Sequence, residues 1–238
     1  MAGNYFKFKQ FVINQGLASF KVTTDSVLLG AWAGIADAGR ILDIGTGTGL
    51  LALMAAQRSE AQIVTIEPDR NSFMQAGINF AASPWYERLT ILHTTLQDFR
   101  PDADMLFDAI ITNPPYFIDS LLNPDRGKAR ARHTVSLSHT ELAGAADRLL
   151  ASSGSLHLVL PVNEARKFEE EAAIHGFHCD RRLLVRPTPS TPPARVLMSL
   201  RQNRATVCEE SELVIEKGGR HIYSDEYVSL TKDFYLKF

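Results

Sequence analysis

Little in this chain suits secretion, a membrane or a metal. Its 238 residues include two cysteines, Cys179 and Cys208, too few for a disulfide framework and in keeping with a reducing compartment. No apolar run approaches the roughly 20 residues that cross a bilayer. Residues 1–15 carry lysines but lack the continuous apolar core of a secretion signal, so the expected location is the cytoplasm. Positive charge is not in excess either. Lys and Arg number 25 against 27 Asp and Glu, for a formal net charge of −2; any nucleic-acid binding would need a local patch rather than a basic coat. There is no internal repeat and no long low-complexity segment. The cluster His175-Gly176-Phe177-His178-Cys179 has no second group of ligands beside it, and no metal is expected. The other histidines are scattered without a Ser/His/Asp pattern, and no obligatory protein partner is evident.

Alternating β-branched and helix-forming segments are what the chain does have. The opening stretch Tyr5–Ile13 alternates aromatic and polar residues and suggests a short half-buried strand. Thr23-Thr24-Asp25-Ser26 precedes an apolar run and supplies helix-capping residues. Strands are expected at 40–44, 62–67, 89–93, 106–112 and 154–160, the first and fourth of them buried, with helices over 50–58, about 69–82, 138–151 and 162–175. The last third, with candidates at 182–186 and 196–201, reads as sheet. Repeated β-α units predict an α/β fold, a Rossmann-like, mostly parallel sheet with helices on both faces. In such sheets ligands sit outside the carboxyl ends of the strands, where strand order reverses.

Two motifs would lie along that edge. Asp43-Ile44-Gly45-Thr46-Gly47-Thr48-Gly49 is a strand–turn–helix with glycines at alternate positions, letting a ligand press against the backbone near a helix N-terminus. The dinucleotide fingerprint places its third glycine one residue later, so the spacing favours S-adenosylmethionine over a nicotinamide cofactor. Glu67, 22 residues past Gly45 and at a strand end, is placed to accept both ribose hydroxyls. Asp98 could hold the adenine amino group, with Phe99 packing on the ring. The second motif is Asn113-Pro114-Pro115-Tyr116. Two prolines stop the strand before them and restrict Asn113 to an extended conformation. The stiff corner presents a side-chain amide oxygen and a proline carbonyl to both hydrogens of a planar –NH2 group, and a phenol ring to stack on its base.

With both motifs in one chain, the sequence resembles class I S-adenosylmethionine-dependent methyltransferases acting on amino nitrogen, over roughly residues 20–205. That resemblance implies a seven-stranded sheet, six strands parallel and one antiparallel. It also implies a single methyltransferase domain over residues 1–238, in which 1–35 form an N-terminal strand/helix extension completing the cofactor pocket. Phe8-Lys9-Gln10-Phe11, Lys21–Trp32 and Leu230-Thr231-Lys232-Asp233-Phe234-Tyr235 are similar to segments of the valine-tRNA adenine-N6 methyltransferases, which methylate the adenosine beside the anticodon. Lys21, Thr24 and Asp25 would then lie near the cofactor's methionine end, with Asp43, Gly45, Thr46, Gly47, Gly49, Glu67, Asp98, Phe99 and Asn113 completing its site. Catalysis would rest on Asn113, Pro114, Pro115 and Tyr116.

Tyr116 and Phe117 would meet the base. Arg126, Lys128, Arg130 and Arg132, separated by small residues, make a phosphate-directed loop for tRNA. A weaker basic candidate comprises Arg181, Arg182, Arg186 and Arg195 around the turn 187–193, with Lys7 and Lys9 as candidates for the same surface. Competing readings are a protein-glutamine N5 methyltransferase, a ribosomal-RNA guanine-N2 methyltransferase, a non-catalytic RNA-binding module on the same scaffold, and a nicotinamide dehydrogenase.

Overall fold

The computed structural model describes residues 3–102, 104–114, 137–202 and 207–238. Five β-branched runs pair side by side in parallel: β3 (Arg40–Ile44), β4 (Gln62–Ile66), β5 (Leu89–Leu92), β6 (Phe107–Thr112) and β7 (Leu150–Pro161). Beyond β7 the sheet continues through β9 (Arg195–Gln202), which runs antiparallel to both β7 and β8 (Phe177–Arg186). An edge strand, β10 (Glu209–Val214), adds to β8 in parallel. The order is β10-β8-β9-β7-β6-β3-β4-β5. The described sheet therefore has eight strands, one more than the seven expected. β10 escapes a sequence reading because Glu209, Glu210 and Glu212 break any apolar run; such charges suit an edge that must not recruit another chain.

Helices cover both faces. α1 (Thr24–Trp32), α2 (Leu50–Arg58), α3 (Arg70–Ala81) and α6 (Asp225–Thr231) bury apolar residues in one core with Ile41, Ile63, Ile111, Val159 and Leu197. α4 (His139–Leu149) and α5 (Val162–Ile174) share the second core with Leu42, Ile110, Leu156, Leu158 and Met198. Alternate residues of each central strand thus enter opposite cores, which explains why these strands are apolar throughout. Caps set the helix starts: Thr23, Asp69 and Ser138 accept the N–H of Ser26, Ser72 and Glu141, each worth about 1 kcal/mol. The helix expected to reach Ala151 stops at Leu149, and β7 starts directly after it.

The opening stretch is a hairpin rather than one strand: β1 (Tyr5–Lys7) folds back on β2 (Val12–Asn14). Two side chains of α3, both buried, staple it down. Asn79 accepts the Asn14 N–H and donates to the carbonyls of Asn14 and Thr48, while Gln75 accepts the Leu17 N–H. From the other side the hairpin grips the far end of the chain. Lys9 donates its N–H to the Phe234 carbonyl at 2.8 Å and its Nζ to the Lys232 carbonyl at 2.6 Å. Phe8 stacks on Tyr235. The two terminal motifs named above thus meet in space. Cys179 of β8 and Cys208, just before β10, are joined as a disulfide, their Cα atoms 5.3 Å apart, a pairing that the low cysteine count did not suggest.

Candidate active site

Strand order reverses at β3, which is flanked by β4 on one side and β6 on the other. The crevice outside their carboxyl ends is the expected ligand position. Residues 45–49 fill the turn from β3 to α2. Gly47 (φ 57°) and Gly49 (φ 84°) both occupy the left-handed region, and they differ in what surrounds them. A Cβ on Gly49 would lie 2.5 Å from the Phe80 ring, whereas one on Gly47 would meet nothing within 4 Å. Gly49 is small for packing; at Gly47 the space where a Cβ would stand is open.

Glu67, the residue after β4, holds this loop. Its Oε2 accepts the Gly47 N–H at 2.8 Å and its Oε1 the Asp69 N–H at 2.9 Å. Each oxygen keeps lone-pair capacity for a further donor. Burial raises the Glu67 pKa, against the lowering by the two backbone hydrogen bonds.

Asp43, expected among the residues of the cofactor site, stands at the end of β3 just before the loop. It is fully buried and braces the loop from beneath: Oδ2 accepts the Thr46 hydroxyl at 2.5 Å, while Oδ1 is buried with no hydrogen-bond partner among the described residues. Burial raises its pKa to about 7, opposed by the Thr46 hydrogen bond and reinforced by Glu67. The unfolded chain releases this proton near 3.8 and the folded one near 7, so the folded state holds more protons in that window and Asp43 costs stability as pH rises through it. Asp43→Asn is expected to raise the Tm of the ligand-free protein at pH 8 by about 3 °C or more and to flatten its pH dependence. Calorimetric scans from pH 4 to 8 read this; a variant tracking the wild type in parallel would count against it.

β6 brings the second motif to the same rim. Thr112, fully buried, donates its hydroxyl to the Ile44 carbonyl at 2.8 Å, tying the end of β6 to the residue before Gly45. Asn113 follows, half-buried, and Pro114 is buried. The Asn113 amide nitrogen donates to Ser26 Oγ at 2.8 Å, which brings the first turn of α1 to the corner as well. Asp25 in that turn pairs with Arg195 at 2.7 Å; Lys21 and Thr24 are exposed beside it in sequence. Sequence reasoning did not find Thr112 or Ser26, since nothing in their neighbourhoods signals partners 68 and 87 residues away.

Other expected residues fall differently. Asp98 is exposed in the turn after β5, and its Oδ2 accepts the Thr95 hydroxyl. Phe99 is only 4% exposed and packs in the core near Phe107, so the stacking face expected for an adenine ring is taken up by core packing. The second basic candidate is largely neutralised. Arg182 pairs with Glu169 and Glu210, Arg186 with Glu212 and Arg195 with Asp25, while Arg181 lies over the Trp32 ring. Lys9 is engaged with carbonyls. Pro115, Tyr116, Phe117, Arg126, Lys128, Arg130 and Arg132 lie outside the described residues. Among the described residues, no cluster of three His, Cys, Asp or Glu could hold a metal, and no helix is long and apolar enough to cross a membrane.

The rim thus combines a glycine turn with space at Gly47, paired acceptors at Glu67, and an amide corner one strand away. Known proteins resemble this chain. Residues 24–170 match the family model described as the methyltransferase small domain. A Bacteroides fragilis protein named tRNA1(Val) (adenine(37)-N6)-methyltransferase is 42% identical over 241 residues, covering all of both chains. A Parabacteroides distasonis protein of the same name is 43% identical over 237 residues, again covering all of both. Among solved structures, one described as a predicted O-methyltransferase of Agrobacterium tumefaciens aligns with a TM-score of 0.67 at 18% identity, over 88% of this chain and 96% of that one. A ribosomal protein L11 methylase from Lactobacillus delbrueckii aligns with a TM-score of 0.58 at 20% identity, over 81% and 84%. At such identities the structures speak for the fold alone.

Proposed function

The chain belongs to the methyltransferase small domain family of class I methyltransferases, and from that premise we propose that it transfers a methyl group from S-adenosylmethionine to the exocyclic N6 of an adenosine in tRNA, the one beside the anticodon of valine tRNA. The observation that carries this reading is the Thr112–Ile44 hydrogen bond, which holds an amide-bearing corner against the glycine loop. Relatives of matching length that bear one activity in their names support the choice of substrate.

When bound, S-adenosylmethionine supplies a methyl group made electrophilic by its sulfonium centre. The residues present fit such a cofactor. Glu67 would accept ribose hydroxyls at oxygens already oriented by two backbone N–H groups, and Gly47 leaves room where a Cβ would stand. Gly45, Thr46 and Gly49 shape the turn and Asp43 braces it. Asp98 would take the adenine amino group, and Lys21, Thr24 and Asp25 would flank the methionine end. Residues 1–35 would close the pocket within a single domain.

The adenine amine is a weak nucleophile because its lone pair is delocalised into the ring. The Asn113 side-chain oxygen and the Pro114 carbonyl would accept its two N–H bonds, favouring a pyramidal nitrogen with the lone pair turned toward the crevice. Pro115 would stiffen the corner, Tyr116 would stack on the base and Phe117 would meet it as well. Positioning and fixed dipoles supply the acceleration. An alkylated amine gives up its extra proton readily, so no strong base is needed. An adenosine in a single-stranded loop reaches such a pocket at mild cost. Arg126, Lys128, Arg130 and Arg132 would bind its phosphates.

The test is incubation with labelled cofactor and total tRNA from a strain lacking this protein, followed by nucleoside analysis. N6-methyladenosine in valine tRNA is the expected product. Label in N2-methylguanosine of ribosomal RNA, or on a protein glutamine, with none in tRNA, would overturn the reading.

A further inference from the structure

A carboxamide is a two-ended group, and only one end suits the task proposed for Asn113. Its oxygen accepts from an amine; its –NH2 would oppose donor to donor. Rotation by half a turn about the last side-chain bond exchanges the two ends, so an asparagine in this role needs something that tells them apart. Pro114 and Pro115 restrain the backbone, but they do not choose between carboxamide orientations.

The first turn of α1 does. Asn113 Nδ2 donates to Ser26 Oγ at 2.8 Å. Ser26 is in turn tied to the helix cap: its N–H donates to Thr23 Oγ1 at 3.2 Å, and the two hydroxyl oxygens lie 3.1 Å apart. Either hydroxyl of that pair can be the donor; because Ser26 Oγ accepts from Asn113, its own hydrogen is free for Thr23 Oγ1, and in that arrangement the Ser26 oxygen is an acceptor that selects the Asn113 nitrogen. The helix carrying Ser26 is anchored independently of the corner, through the Asp25–Arg195 ion pair and a fully buried face of Val27, Leu28 and Leu29. The acceptor is therefore presented from a rigid element.

We propose that Ser26, backed by Thr23, is a positioning residue that sets the orientation of the Asn113 carboxamide and so directs its oxygen to the substrate amine. This rests on the reading of Asn113 given above. It assigns to the α1 cap a part in the methyl-transfer step that is separate from cofactor binding.

Ser26→Ala is expected to lower the single-turnover rate about fivefold to tenfold, the worth of one side-chain hydrogen bond. Cofactor Kd and the KM for tRNA should stay within about twofold, and Ser26→Thr, which keeps the hydroxyl, should restore most of the rate. The discriminating variant is Asn113→Asp. A carboxylate has no wrong end, so in that background Ser26→Ala should have no further effect on the rate. A Ser26→Ala rate within twofold of wild type would overturn the proposal, as would an equal loss in both backgrounds. One readout is independent of substrate: solvent exchange of the Asn113 side-chain amide protons, followed by NMR, should quicken about tenfold or more in Ser26→Ala. Unchanged exchange refutes the inference even if tRNA proves to be the wrong substrate, whereas wild-type protein that leaves tRNA unmethylated refutes only the functional reading.

Discussion

Asn113→Ala is expected to lower the rate of methyl transfer by roughly a hundredfold to a thousandfold, the range seen when one fixed dipole is removed from a reacting centre. Cofactor affinity should change by no more than about threefold. The separation follows from where the residue stands. Asn113 lies at the end of β6, while the loop carrying Gly47 is held by Glu67 and by Asp43 through contacts that do not involve Asn113. Thr112 keeps the two strand ends together whatever side chain occupies position 113. Alanine removes the acceptor for one amine hydrogen, and the nitrogen loses a partner that would keep it pyramidal. Single-turnover kinetics beside calorimetric titration of the cofactor separate the two effects. Retention of more than about a tenth of wild-type rate would exclude a direct part for this side chain in the reaction.

Glu67→Gln should weaken cofactor binding by about a hundredfold or more, nearly as much as Glu67→Ala, although glutamine has almost the same shape. In the native loop both carboxylate oxygens accept backbone N–H groups, from Gly47 and from Asp69. An amide offers one oxygen and one –NH2, so one backbone donor would face another donor. Charge-assisted hydrogen bonds to the ribose, each worth about 1.5–3 kcal/mol, are weakened at the same time. Because burial raises the Glu67 pKa, wild-type affinity should also fall on acidification at a higher pH than for an exposed glutamate, and the Gln variant should lack that dependence. Calorimetry across pH with both variants checks the account. A Gln variant that binds like wild type would show that an ionised acceptor is not required.

The central sheet was legible because β3, β6 and the second half of β7 bury both faces, and Gly45–Gly49 and Asn113-Pro114 punctuate it with residues that have few other uses. Polar staples were not legible. Asn79 and Gln75 lie within an ordinary helical pattern, and Ser26 looks like any first-turn serine; their partners are 65, 58 and 87 residues away. Phe99 looked like a ring-stacking residue because it follows Asp98 in a loop, yet the chain turns it into the core. The arginines of β8 formed a basic run in one dimension. In three dimensions, the parallel pairing of β8 with β10 sets Glu210 opposite Arg182 and Glu212 opposite Leu184, and the run is matched by carboxylates. Charge in a sequence gives the sign of a segment but not what lies across from it.

The grip of Lys9 on residues 232 and 234 bears on how the protein matures. The hairpin leaves the ribosome more than two hundred residues ahead of its partner, so it must wait through their synthesis before it can dock. The glycine turn, whose Thr48 carbonyl is linked through Asn79 to that same hairpin, would be among the last parts of the molecule to set. A frameshift or nick near residue 230 would then be felt at the glycine turn, through the hairpin and Asn79.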